Sequence, residues 1–304
     1  MARKPPALRP GDVVGVVAPS AAIERGYLEA GVGALAAMGY RVKVSAHALD
    51  RAGIMAGTDA VRAAELNAFF ADPGVRAIVG ARGGYGAGRL LPLIDFAAIA
   101  RTPKIFLGFS DATFLLAALV ERAGIIAFHG PMVAMDLARG LSPRSSAHLR
   151  RLLSGAPGGF ELEAATALRP GAATGELIGG CLSVVVATLG TPYAPRFAGR
   201  ILFLEDTGEK AYRVDRMLVQ LRQSGALRGV AGIVFGAIRP VGGDEVERMR
   251  IAEFVAEQTR DLDCPVLFGI EAGHGTENLA LPLGAPVPLE AGGRRLICDE
   301  TAVS

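Results

Sequence analysis

Tryptophan is absent from the 304-residue chain and aromatic residues make up only 6% of it, so any stacking platform must come from tyrosine or phenylalanine. Cysteine is nearly absent too. Cys181, Cys264 and Cys298 are odd in number and far apart, which gives neither a disulfide framework nor a metal-ligand spacing and points to a reducing compartment. An excess of charge is also lacking, with 32 basic against 30 acidic residues. That balance excludes a strong field for drawing in nucleic acid or anionic lipid. No run approaches the roughly 18 uncharged apolar residues of a membrane span. Arg3, Lys4 and Arg9 precede an apolar stretch, but Val13–Ala18 is shorter than a signal core of roughly 7–15 residues, is interrupted by Gly15 and follows Pro10-Gly11-Asp12. It reads as a first buried strand of a soluble, cytoplasmic protein. No repeat of solenoid period is present.

Glycine (40) and proline (18) are plentiful, as in a tightly turned globular chain, and the length fits two domains. The first half alternates apolar runs with helical patterns: Val13–Ala18, Tyr27–Met38, Val42–Val44, Asp59–Ala71, Ala77–Val79 and Ile105–Gly108. Such alternation predicts βαβ units, and runs without polar alternation predict strands covered on both faces, hence a doubly wound parallel sheet. From Pro143 to Gly175 the pattern weakens among prolines, glycines, alanines and serines. Residues 1–150 are therefore expected to form an α/β domain, 151–174 a linker and 175–304 a smaller second domain. In the latter, Ile201–Leu204, Gly232–Phe235 and Pro265–Phe268 read as strands, and Tyr212–Ser224 and Asp244–Leu262 as helices. Pro282, Pro286, Pro288 and Gly292-Gly293 bracket short strands that suggest a mixed or barrel-like finish.

Ser110 stands between the apolar run Ile105–Gly108 and the helical pattern Ala112–Arg122. A hydroxyl at such a junction is presented by a sharp turn, and the helix behind it directs amide donors towards developing negative charge. A serine followed by aspartate at a helix start is also the ordinary form of a cap. The α/β-hydrolase elbow G-x-S-x-G is not matched, because Ala112 replaces its second glycine.

A serine nucleophile needs a base, and the chain offers four histidines. His274 lies between Gly273 and Gly275, where the backbone is free to turn and the ring is uncrowded. His129, among apolar neighbours, reads as a packed structural residue, and His47 and His148 as surface residues. An orienting carboxylate is expected at the end of a rigid element. Glu205, Asp206 and Glu209 follow the run Ile201–Leu204, with Glu205 first; they also fit as acids enriching the start of the next helix.

The segment Gly80-Ala81-Arg82-Gly83-Gly84-Tyr85-Gly86-Ala87-Gly88 follows a strand but lacks both the dinucleotide fingerprint and the Gly-Lys-Ser/Thr ending of a Walker loop. It supplies unobstructed amides suited to an oxyanion hole, or simply a tight turn, with Arg82 as a candidate clamp for a substrate carboxylate.

Four separated motifs together resemble the bacterial LD-carboxypeptidases, serine peptidases that include the muramoyl-tetrapeptide and microcin-immunity enzymes. They are Arg82–Gly86, Gly108–Asp111, Leu204–Glu209 with Tyr212–Leu218, and Gly273–Gly275; Gly130-Pro131-Met132 and Gly179–Ser183 look like further landmarks. The resemblance runs from Gly11 to about Leu289. It implies a flavodoxin-like or amidotransferase-like N-terminal domain and a catalytic triad of Ser110, Glu205 and His274. It further implies an oxyanion hole from the N–H groups of Gly84 and Asp111, no metal or cofactor, and a homodimer. The implied partner is a small peptide, a murein tetrapeptide or its sugar or nucleotide conjugate, from which terminal D-alanine is cut at an L-to-D bond. The microcin branch is expected to stack a nucleotide on an aromatic ring, so the lack of tryptophan favours the murein branch. A ligand-binding α/β protein without turnover is the alternative of a different class.

Overall fold

The computed structural model describes residues 2–304. Its chain divides into two compact units. The N-terminal unit comprises residues up to Pro157 together with Leu279–Leu283 and Thr301–Ser304, and the C-terminal unit comprises Gly158–Asn278 and Gly284–Glu300. The polypeptide therefore returns twice to the first unit instead of crossing a single linker.

The N-terminal unit contains strands β1 (Val13–Val17), β2 (Arg41–Val44), β3 (Ala77–Gly80), β4 (Ile105–Gly108) and β5 (Ala127–His129), with helices α1 (Arg25–Ala37), α2 (Asp59–Ala71), α3 (Phe96–Arg101), α4 (Thr113–Ala118) and α5 (Pro143–Ser154). Further along the chain, the C-terminal unit contains β6 (Phe160–Glu163), β7 (Thr166–Arg169), β8 (Ala172–Cys181), α6 (Leu182–Thr188), β9 (Ile201–Glu209), α7 (Ala211–Gln223), β10 (Gly232–Pro240), α8 (Glu245–Thr259) and β11 (Val266–Phe268). Strand β12 (Leu281–Leu283) belongs to the first unit, and β13 (Pro286–Glu290) and β14 (Arg295–Cys298) to the second.

The first sheet has the order β12-β5-β4-β3-β1-β2. Its five strands from β1 to β5 are all parallel, in the 2-1-3-4-5 order of flavodoxin-like folds. β3 and β4 are buried along their whole length, and fully buried Phe106 and Phe128 fill the core beside them, which is why these strands are continuously apolar. Truncating such a ring to alanine costs about 3–5 kcal/mol. β12 adds antiparallel to β5, pairing Leu281 with His129 and Leu283 with Ala127. Pro282 is tolerated there because β12 is an edge strand.

The second sheet is mixed, eight-stranded and open, in the order β6-β14-β13-β8-β9-β10-β11-β7. β8 to β11 run parallel at its centre, and antiparallel strands flank them on both sides. The barrel-like finish suggested by the sequence is thus a mixed sheet whose two ends, β6 and β7, do not pair. The weak region 151–174 holds the end of α5 together with β6, β7 and the start of β8. The pattern Ala112–Arg122 forms a single 3-10 turn at Ser110–Ala112, then α4, then a π-helical turn at Leu119–Ala123. Among the described residues, no helix is long and apolar enough to cross a membrane.

Candidate active site

In the N-terminal unit the chain leaves β4 at Gly108, passes through an extended Phe109 and reaches Ser110 with φ +60°. That left-handed conformation costs an L-residue roughly 1–2 kcal/mol. It lifts Ser110 out of the line of the strand, and the 3-10 turn and α4 follow at once. Neither that 3-10 turn nor α4 begins with a side-chain capping hydrogen bond.

The glycine loop lies against this elbow. A Cβ added at Gly83 would sit 2.8 Å from Ser110 Cβ, 2.9 Å from Ser110 Oγ and 3.3 Å from the Asp111 nitrogen. Only glycine permits that approach, and Gly83, Ser110 and the Asp111 amide are brought together by it. The buried Asp111 carboxylate accepts a 2.8 Å hydrogen bond from the Ala87 N–H, tying the residue after the serine to the far end of the loop. Gly84 has φ +102° and packs on Ala21, while the Gly83 carbonyl accepts the Ala21 N–H at 3.2 Å. Arg82 is half-buried and donates through Nη1 to the Ala22 carbonyl at 3.2 Å, which occupies part of the guanidinium proposed as a clamp.

In the C-terminal unit Glu205 lies on β9 opposite Cys181 of β8 and is completely buried. Its Oε2 accepts two hydrogen bonds from His274, one from the backbone nitrogen at 3.0 Å and one from ring Nδ1 at 2.6 Å. Glu205 thus belongs to the strand and is not one of the acids at the start of α7. A carboxylate bound to Nδ1–H fixes the tautomer, placing the lone pair of the neutral ring on Nε2. The loop bearing His274 must pass very close to this carboxylate. Gly273 has φ +90°, and a Cβ there would lie 2.4 Å from Glu205 Oε2.

One positioning side chain, Asn278, escaped the sequence reading, and Asp206, one of the three candidate acids, bonds backbone amides and not the imidazole. Asn278, buried, accepts the Gly273 N–H through Oδ1 at 3.0 Å and so closes the turn that carries His274. Asp206, next to Glu205 and also buried, accepts the N–H groups of Ser183 and Thr207 at 2.7 Å each. Burial, followed by the neighbouring Glu205 charge, pushes its carboxyl above the usual range, and those two amides work against the shift. No sequence signal singles out Asn278, because it acts through a backbone contact.

The remaining candidates fall elsewhere. His129 is fully buried on β5 with its ring edge-on to Phe109, centroids 5.8 Å apart. His47 is exposed beside Asp50. His148, expected at the surface, is half-buried on α5 and bonds the Ala280 carbonyl at 2.8 Å; burial pushes its pKa down. The three cysteines are buried, and no disulfide joins them. Among the described residues, no cluster of His, Cys, Asp and Glu side chains is arranged to hold a metal ion.

The chain matches the model of the LD-carboxypeptidase N-terminal domain over residues 14–130 and that of the LD-carboxypeptidase C-terminal domain over 174–289. It is 35% identical to the murein tetrapeptide carboxypeptidase of Pseudomonas aeruginosa, across 93% of this chain and 94% of that one. It is 28% identical to the microcin C7 self-immunity protein of Escherichia coli, across 82% and 80%. The crystal structure of a muramoyltetrapeptide carboxypeptidase from Oxalobacter formigenes superposes with a TM-score of 0.84 at 29% identity, covering 94% of this chain and 97% of that one.

Proposed function

The chain belongs to the LD-carboxypeptidase family of serine peptidases, and on that premise we propose that it removes the terminal D-alanine of murein tetrapeptides. The single observation that carries the reading is the buried Glu205–His274 pair, a side-chain arrangement suited to holding a general base in one tautomer. The left-handed Ser110 supports it from the other unit, because backbone strain of this kind collects at functional residues.

In this mechanism His274 Nε2 takes the proton of Ser110 Oγ as the oxygen attacks the carbonyl of the L-centre. The tetrahedral oxyanion accepts hydrogen bonds from the Gly84 and Asp111 N–H groups. The imidazolium, stabilised by Glu205, then protonates the amine of the departing D-alanine. Water, activated by the same imidazole, releases the tripeptide from Ser110. Arg82 holds the terminal carboxylate of the substrate with the donors not turned to Ala22. The same reading makes the enzyme a homodimer, and a cytoplasmic one, in keeping with cysteines that form no disulfide.

The 28% identity to the microcin self-immunity protein supports a second substrate class, peptidyl nucleotides. The chain's lack of tryptophan favours the murein class. Assaying a tetrapeptide ending in D-alanine beside a peptidyl-adenylate analogue decides between them. The murein reading expects D-alanine release with a higher kcat/KM than cleavage of the nucleotide conjugate. The opposite order, or no D-alanine at all, overturns it.

A further inference from the structure

Arg62, on α2, is 2% exposed and joins its helix to the backbone of two other stretches. Its Nη1 donates to the carbonyl of Pro19, just beyond β1, and at 3.0 Å to the carbonyl of Gly86. Its Nη2 faces Asp59 at the start of the same helix. Gly86 has φ +125°, and a Cβ there would sit 2.8 Å from Arg62 Nη1, so loop and guanidinium fit only without a side chain at that position.

A burial this complete is costly for a cation unless its charge is balanced and most of its donors are used; Nη1 and Nη2 are bonded here, while Nε is buried without a partner. Asp59 supplies the balance and is itself held by Arg89, whose Nε reaches both carboxylate oxygens at 3.0 and 2.8 Å. Hydrogen bonding from Arg89, first, and from Arg62 keeps the Asp59 carboxyl below its ordinary value. Arg89 lies on the 3-10 turn Ala87–Leu93 that directly continues the glycine loop. The loop is therefore anchored at Gly83 by Ala21, at Gly86 by Arg62 and at Ala87 by Asp111, with the Gly84 amide between the anchors.

We propose that Arg62 is a positioning residue for the transition state, its guanidinium holding the Gly83–Gly86 loop so that the Gly84 N–H is preset for the oxyanion. This rests on the serine-peptidase reading above. An oxyanion donor is effective because it needs no reorganisation when charge develops, so a loop free to shift loses part of that benefit while still admitting substrate. Substitution by lysine retains the charge but replaces the planar guanidinium, in which Nη1 serves the two carbonyls while Nη2 faces Asp59, with a single nitrogen that must serve all three.

The test compares wild type, Arg62→Lys, Arg62→Met and Ser110→Ala as full-length proteins. Readouts are D-alanine release from a tetrapeptide, inhibition by a phosphonate mimic of the tetrahedral intermediate, binding of the product tripeptide, and thermal melting. Arg62→Lys is expected to melt within a few degrees of wild type and to lose roughly 10–100-fold in kcat, less than the 10²–10³ of deleting a donor outright. KM and tripeptide affinity stay within about 3-fold, while the phosphonate weakens in proportion to kcat/KM. An unchanged kcat overturns the proposal. So does a loss shared equally by kcat, tripeptide affinity and folded fraction, which marks Arg62 as a structural brace alone. If wild type releases no D-alanine, or Ser110→Ala releases it as fast, the peptidase reading itself fails and takes the Arg62 role with it.

Discussion

The two units present their candidate catalytic groups by opposite means. In the first, the group of interest is a half-exposed hydroxyl, and what holds it is backbone: a left-handed φ at Ser110 and a glycine loop close enough to exclude a Cβ. In the second, backbone strain falls on a glycine, and the precision lies in side chains, with fully buried Glu205 gripping both the ring and the amide of His274. A nucleophile must stand clear of its surroundings, whereas a base must be prevented from rotating. On the proposed roles of Ser110 and His274, each unit meets one of these needs with a local rule broken in a place its own packing supports.

This contrast predicts that activity and stability separate at the elbow and fall together at the buried acid. Ser110→Gly removes the nucleophile while occupying the same φ without steric cost. Its kcat/KM should fall at least about 10³-fold, with stability within about 1 kcal/mol of wild type by chemical denaturation. A marked loss of stability would show that the serine side chain itself holds the turn.

Glu205→Gln keeps the shape but offers an amide to Nδ1, so kcat should drop about 10²–10⁴-fold. Glu205→Ala should also cost about 2–4 kcal/mol, since it strands the His274 amide in a buried cavity. If Glu205→Ala were as stable as Ser110→Gly, the distinction between the units would disappear.

Much of the fold could be read before any coordinates. Asp59–Ala71 begins and ends where its pattern does, because Thr58 caps its first turn and the apolar period continues to Phe70. The core strands were legible because parallel strands covered on both faces carry unbroken apolar runs. Pro143, read as the start of the weak region, is instead the first residue of α5, with Ser142 as its cap and Gly155 as its left-handed stop. β12 was hidden for another reason. A three-residue strand containing proline has no local signal, and its existence depends on pairing with β5 at a separation of over a hundred residues. At the site, the sequence offered Ser110, Glu205 and His274 as separate candidates, and only the resemblance joined them. Asn278 and Arg62 act through backbone contacts that no spacing reveals.

A smaller effect sharpens the picture of the second unit. Asn278→Ala leaves the Gly273 N–H buried without its acceptor, which costs about 1–2 kcal/mol and loosens the His274 turn. A roughly 10-fold fall in kcat is expected. Unchanged kinetics would mean that Glu205 alone sets the ring.

The smallest effect concerns the first unit and pH. Burial lowers the pKa of His148 below its ordinary 6.5, so the folded form resists the proton that the unfolded chain accepts. Stability contributed this way is complete above about pH 6.5 and declines as pH falls towards the lowered folded value. Between pH 7 and 5, thermal melting of wild type should decline more steeply than that of His148→Gln. Parallel slopes would remove His148 as a source of acid sensitivity.

The most direct test of the central claim, that Ser110 is a nucleophile activated by the Glu205-bound His274, is mass spectrometry of the protein after treatment with a fluorophosphonate. The expected result is one adduct, on Ser110, that forms in wild type and fails to form in His274→Ala. Labelling of another residue, or undiminished D-alanine release after Ser110 is replaced by alanine, would contradict it.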